Sequence, residues 1–186
     1  MKHTEAVALF DQIYPGYFDK PYIKALEKGR VFEEMTLALH AFSLDALTIP
    51  VPQGITFGWY TGDDLAPLRQ SVAKVGESWL PYFEKKDDVF CAFDGETVVS
   101  FCLLDDMGTH MHQGRTVRVA GPGCVGTIPA YRKQGIGLRM VQLATQILKE
   151  RGYDIGYIHF TGVGPWYARL GYETLLFWDR NGVVKA

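Results

Sequence analysis

Two cations and two glycines, in Arg132-Lys133-Gln134-Gly135-Ile136-Gly137, stand immediately before a run in which Leu138, Val141, Ala144, Ile147 and Leu148 recur at helical spacing. A helix leaves its first N–H groups without internal partners and carries partial positive charge at that end, so this arrangement suits an anionic phosphate. The glycines let the backbone turn tightly and approach a ligand closely, while Arg132 and Lys133 add charge just ahead of the helix. Taken alone, the hexamer also reads as an ordinary glycine-bearing turn with solubilising basic residues. Two other nucleotide signatures fail on their context. Gly121-Pro122-Gly123-Cys124-Val125-Gly126 matches GxGxxG, but Pro122 and Pro129 bracket it and no helical pattern opens at its third glycine. No Gly-x-x-x-x-Gly-Lys-Ser/Thr run occurs, which disfavours a P-loop.

The elements that must hold this turn read as mixed α/β. Pro50-Val51-Pro52-Gln53-Gly54 punctuates the chain and marks a boundary between an N-terminal extension, 1–54, and a domain, 55–186. A strand at Ile55–Tyr60 precedes turn and N-cap chemistry at Thr61-Gly62-Asp63-Asp64, then a helix through Leu65, Leu68, Val72 and Val75. Val89–Phe93 and Thr97–Leu104 flank Asp94-Gly95-Glu96 as a hairpin, and the chain from Arg115 to Ile128 reads as a strand bent or bulged at Gly121-Pro122-Gly123. After the helix, whose C-cap is Gly152, come a strand at Ile155–Phe160, a short helix at Pro165–Leu170 and a strand at Glu173–Trp178.

Composition narrows the function classes. The 186 residues hold 19 Lys and Arg against 21 Asp and Glu, a net charge of −2 that gives no field for gathering nucleic acid. No apolar run reaches the ~20 residues of a membrane span, and Met1-Lys2-His3-Thr4-Glu5 lacks a signal core, so a cytoplasmic protein without membrane or nucleic-acid partners is expected. Cys91, Cys102 and Cys124 lack CxxC spacing and sit in apolar surroundings, as buried reduced thiols would. His110-Met111-His112 with Cys102 and Cys124 meets no zinc spacing, and no metal is expected.

From Ile55 to Trp178 the chain resembles the GNAT-type N-acetyltransferases. Arg132, Gly135 and Gly137 occupy the defining positions of that family's Gln/Arg-x-x-Gly-x-Gly/Ala signature, and Gly126-Thr127-Ile128-Pro129-Ala130-Tyr131-Arg132 looks like its approach from strand to helix. Trp166-Tyr167-Ala168-Arg169-Leu170-Gly171-Tyr172 resembles its aromatic–Tyr-x-x-x-Gly-aromatic segment. The resemblance implies a GNAT-like mixed central sheet with flanking helices, and transfer of an acyl group, typically acetyl from acetyl-CoA, to an amine of a small molecule or peptide. It also implies that the backbone of Lys133, Gln134, Gly135, Ile136, Gly137 and Leu138, beside Arg132, holds the coenzyme pyrophosphate. Gly126, Thr127 and Ile128 would pair with the pantetheine arm, and the Thr127 or Ile128 N–H could polarise the thioester carbonyl.

Tyr167 falls at the family's usual tyrosine and is the expected general acid for the departing thiolate; a core aromatic beside Trp166 is the alternative. The general base is not legible, because no acid lies between Arg115 and Lys149 where many relatives carry a strand glutamate. His159 offers an imidazole, as a base or as a hydrogen-bonded core residue. Asp105, Asp106, His110 and His112 read as a solvated loop that could instead reach a cleft. The missing strand acid keeps a non-catalytic acyl-CoA sensor or scaffold open as the alternative function. Phe160-Thr161-Gly162-Val163-Gly164 stands where many relatives carry an asparagine.

The acceptor site would be built from variable loops and amphipathic helices, with Tyr60, Trp79, Tyr82 and Phe83 as candidates. In the extension, Pro21–Gly29 followed by Phe32–Leu39 echoes Pro165–Gly171 followed by Glu173–Trp178 as short helix, glycine, strand. That suggests a partial second copy of the family's C-terminal end. A two-helix cap is the alternative, since Met35, Leu39 and Phe42 also fit helical spacing. A homo-oligomer is left open.

Overall fold

The computed structural model describes residues 3–85 and 87–186; Met1 and Lys2, named above in the expected leaderless N-terminus, lie outside the described residues. The elements in chain order are α1 (His3–Ile13), α2 (Pro21–Lys24), β1 (Phe32–Ala38), β2 (Ile55–Trp59), α3 (Ala66–Ala73), β3 (Val89–Asp94), β4 (Thr97–His112), β5 (Arg115–Thr127), α4 (Ile136–Glu150), β6 (Ile155–Thr161), α5 (Gly164–Ala168), β7 (Glu173–Asp179) and β8 (Gly182–Lys185). The hydrogen-bonded strand order is β2-β3-β4-β5-β6-β1-β7-β8. The sheet is mixed, because β5 and β6 are parallel while β1 is antiparallel to both β6 and β7. No helix among the described residues is long and apolar enough to cross a membrane.

The chain forms two compact units, neither of which is one continuous stretch. The first comprises Met1–Phe42, Asp106–Gly121 and Leu148–Ala186; the second comprises Ser43–Asp105 and Pro122–Ile147. In the first unit, Ala6, Leu9 and Phe10 of α1 bury against Val117, Val119, Ile155, Tyr157, Leu175, Leu176 and Trp178. Except at adjacent Leu175 and Leu176, where the β1–β7 register shifts, these strand residues alternate along their chains, so one face of the sheet becomes apolar and the helix covers it. The Gln12 side-chain amide completes the docking: its Nε2 donates to the Met111 carbonyl at 3.0 Å and its Oε1 accepts from the Met111 N–H at 2.9 Å. In the second unit, Leu68 and Val72 of α3 pack with Tyr60, Phe83, Val89, Cys91, Val98 and Phe101.

Several local expectations change. Asp105, Asp106, His110 and His112 lie on β4 and not in a loop; the strand runs on to His112 and turns through Gln113 and Gly114, at φ 51° and 76°. Two consecutive left-handed residues form the tight turn that matches strand twist. Residues 32–38 form strand β1, so Met35 is a strand residue, and Leu39–Ala41 is a single 3₁₀ turn. β8 pairs with β7, an element that the sequence reading stopped short of. Tyr60 and Phe83, considered above as acceptor contacts, are core residues of the second unit, whereas Tyr82 is 64% exposed.

Candidate active site

The residues expected to hold the coenzyme form one continuous segment of the second unit. β5 ends at Thr127, a 3₁₀ turn covers Pro129–Tyr131, and α4 opens at Ile136. Gly126 is there for space: a Cβ would sit 2.4 Å from the Phe101 ring. Ser100, fully buried, donates to the Gly126 carbonyl at 2.7 Å and lies 2.9 Å from the Thr127 hydroxyl, which fixes the end of the strand. The Ile128 N–H donates to Val99 O at 3.0 Å. That donor is therefore spent within the protein, contrary to the expectation that it could polarise a thioester.

The turn itself is bent by left-handed backbone at Lys133 (φ 62°) and Gly135 (φ 81°). Arg132 Nε donates to Thr127 O at 3.0 Å and Gln134 Nε2 to Ala130 O at 3.1 Å, so side chains brace the turn. Arg132, Lys133 and Gln134 are exposed, whereas Ile136, Gly137 and Leu138 are buried. Backbone amides beside two exposed cations are the chemistry that a pyrophosphate needs. Gly135 has a second duty, since a Cβ would come within 2.4 Å of the Pro50 carbonyl. Further along α4, buried Gln142 donates to Leu44 O at 3.1 Å and Leu47 O at 2.7 Å and ties the 44–47 segment to the helix.

Tyr167 belongs to the first unit, on α5. It is buried, with its ring edge-on to Trp166 at 4.7 Å and to Tyr172 at 6.2 Å. Gly164, ahead of it, is needed because the Glu33 carboxylate occupies the space of a Cβ, and Thr174 donates to that same carboxylate.

His159 and a residue that sequence reasoning missed, Glu34, lie in the first unit together. The β1–β6 register passes from Glu33↔Thr161 to Met35↔Ile158, so His159 and Phe160 together oppose the single residue Glu34. This β-bulge, with Phe160 at φ 55°, turns two successive side chains into the same aromatic cluster. Glu34 is fully buried and fills the bulge. Its Oε1 accepts from Trp178 Nε1 at 2.7 Å and from the Phe160 N–H at 3.0 Å, and its Oε2 lies 2.9 Å from His159 Nδ1. The sequence did carry a signal: Glu34 lies two residues from core Phe32, on the same face of a strand.

Around this carboxylate stand Tyr14, stacked on His159 with centroids 4.0 Å apart, and Tyr17, edge-on to it at 5.1 Å. The Tyr17 and Tyr157 hydroxyls are buried without a well-formed hydrogen bond among the described residues. Burial foremost, then the nearby Glu34 charge, pushes the Tyr157 phenol far above its ordinary value; for Tyr17 the causes are burial, Tyr22 and then Glu34. Both stay protonated. The three cysteines are free, with Cys91 and Cys102 buried; burial pushes Cys91 up to about 12 and, with Asp105 adding to it, Cys124 up to about 11. No three His, Cys, Asp or Glu residues among those described gather as a metal site.

Residues 58–175 match a family model described as an acetyltransferase (GNAT) domain. A comparison with curated proteins finds no match. Among solved structures, the chain is similar to a GCN5-related glucosamine N-acetyltransferase region of a fungal multi-domain GH3 beta-N-acetylglucosaminidase, with TM-score 0.64 and 22% identity over 82% of this chain and 20% of that one. It is also similar to a GCN5-related N-acetyltransferase from Sphaerobacter thermophilus, with TM-score 0.54 and 22% identity over 78% of this chain and 48% of that one. A third is a GCN5-related N-acetyltransferase from Kribbella flavida, with TM-score 0.53 and 20% identity over 80% of this chain and 56% of that one. This chain spans from a fifth to just over half of the length of these structures. The likeness is one of fold.

Proposed function

The chain belongs to the GNAT acetyltransferase family, and from that premise we propose that it transfers acetyl from acetyl-CoA to a primary amine of a small molecule or peptide. The observation that carries this reading is the turn into α4, where exposed Arg132 and Lys133 and left-handed Lys133 and Gly135 precede a 15-residue helix. In this role the amides from Lys133 to Leu138 bind the pyrophosphate and the strand end at Gly126–Ile128 lies along the pantetheine arm. Tyr167 supplies a proton to the sulfur as the C–S bond breaks, and is reprotonated from solvent. The free thiols suit the reducing cytoplasm expected from the sequence. Residues 1–54 act as an integral part of the fold, whether or not they arose as a partial repeat, because β1 lies between β6 and β7.

The test is release of free thiol from acetyl-CoA with a panel of amines, beside calorimetric binding of acetyl-CoA. One structural neighbour is described as a glucosamine N-acetyltransferase, which makes an amino sugar the first acceptor to try. Spermidine, an arylalkylamine and a lysine peptide extend the panel. Thiol release that depends on an amine supports the reading. Tight acetyl-CoA binding without turnover across the panel would favour the sensor, and no binding would remove the assignment.

A further inference from the structure

We infer that His159 is the general base that takes a proton from the acceptor ammonium, with Glu34 as the positioning residue that sets its tautomer. This deepens the acyltransferase reading and rests on it. A carboxylate only accepts hydrogen bonds, so the imidazole nitrogen 2.9 Å from Glu34 Oε2 must carry a proton. In the neutral ring this leaves the lone pair on Nε2, which has no hydrogen-bond partner among the described residues. The imidazole side chain is 24% exposed while Glu34 is fully buried, so a partly solvent-accessible ring rests on a carboxylate that solvent does not reach.

Three features separate this pair from a chance core contact. Glu34 is held by two other donors, Trp178 Nε1 and the Phe160 N–H, so it cannot turn away from the imidazole. Tyr14 stacks flat on the ring at 4.0 Å and fixes its plane. The bulge that places His159 here lies beyond the last β5–β6 register pair, Ala120↔Gly156, on a strand that continues to Thr161. The titratable groups in contact with His159 are Glu34 from β1, Tyr14 after α1 and Tyr17, while Tyr157, on its own strand, packs against Tyr14. Of these, Glu34 supplies the negative charge; Tyr17 and Tyr157 remain neutral phenols.

The step balances as follows. Nε2 takes one proton from the ammonium; the freed nitrogen lone pair forms the C–N bond as the C–S bond breaks. Tyr167 protonates the sulfur and is reprotonated from solvent, while the proton on Nε2 and the second proton lost by the new amide nitrogen both pass to solvent. The net change is one proton released per turnover. The missing acid on β5 is thereby replaced by a pair recruited from β6, within the family-matched residues 58–175, and from the N-terminal β1, which lies outside them.

The experiment combines two readouts on the full chain. In the wild type, ¹⁵N-detected histidine NMR should show His159 with Nδ1 protonated and Nε2 bare at neutral pH; a ring protonated at Nε2 alone would overturn the assignment without any activity measurement. With acetyl-CoA and the best amine of the panel, His159→Ala should lose roughly 100- to 10,000-fold in kcat/KM, together with the acid-side limb of the pH profile. Acetyl-CoA affinity should hold. Glu34→Gln presents an amide N–H to His159 and should move the proton to Nε2, lowering kcat while circular dichroism stays native. Wild-type rate and pH profile in His159→Ala would overturn the base while leaving the acyltransferase reading intact. A wild type that binds acetyl-CoA yet acetylates no amine would overturn both.

Discussion

Glu34 Oε2 and His159 Nδ1 meet at 2.9 Å across 125 positions of sequence, joining the N-terminal extension to a strand of the family-matched segment. The pair also bears on stability, because Glu34 answers the Trp178 indole and the Phe160 amide as well. Glu34→Leu strands these buried donors and should lower unfolding free energy by about 3–5 kcal/mol. Glu34→Gln retains an acceptor and should cost about 1–2 kcal/mol. Urea titration of both variants checks the order; equal losses would show that packing volume, and not hydrogen bonding, sets the cost.

At the turn into α4, the two left-handed residues separate affinity from stability. Lys133→Gly suits φ 62° and removes a charge, so acetyl-CoA should bind several-fold more weakly with the fold unharmed, and the deficit should shrink as salt rises. Gly135→Val adds a side chain at φ 81° against the Pro50 carbonyl and should destabilise the protein as well as weaken binding. Calorimetry with thermal melts distinguishes the two. An unchanged melting temperature in Gly135→Val would refute the Pro50 clash.

Tyr167→Phe preserves the ring contacts with Trp166 and Tyr172 and removes one hydroxyl. The expected outcome is a fall in kcat of roughly 100- to 10,000-fold with acetyl-CoA affinity retained. Single-turnover kinetics under saturating substrates is the decisive measurement, and equal chemical rates would make Tyr167 a packing residue.

His112 gives the protein an acid sensitivity. Burial foremost, together with Arg115, lowers its pKa from the ordinary 6.5, although Glu5 opposes the shift. A folded value below the unfolded one means that stability is full above about 6.5 and declines as pH falls below it, where only the unfolded chain takes up the proton. His112→Gln should flatten the melting temperature between pH 7 and pH 5. A slope identical to wild type would assign the acid sensitivity elsewhere.

The sheet and the tight turn into α4 were largely readable because their signals are local. Gly135 and Gly152 announce positive φ, and α4 repeats apolar residues at helical spacing. The far end of β4 was hidden because residues 105–111 are mostly exposed or half-exposed, which erases the period-two pattern that marks a strand. The Glu34 pair was hidden for another reason. A carboxylate that fills a bulge on a neighbouring strand depends on a pairing between β1 and β6 that no spacing along the chain encodes.

The place of β1 between β6 and β7 has a consequence during synthesis. Residues 32–38 leave the ribosome long before both of their partners, Ile155–Thr161 and Glu173–Asp179, exist. Until those two strands emerge, the edges of β1 are unpaired, and of the surface that α1 covers only the β5 residues Val117 and Val119 exist. The first unit can therefore close only once residues through Asp179 have emerged, through contacts of long sequence separation. In a cell, this nascent stretch is where a chaperone would be needed.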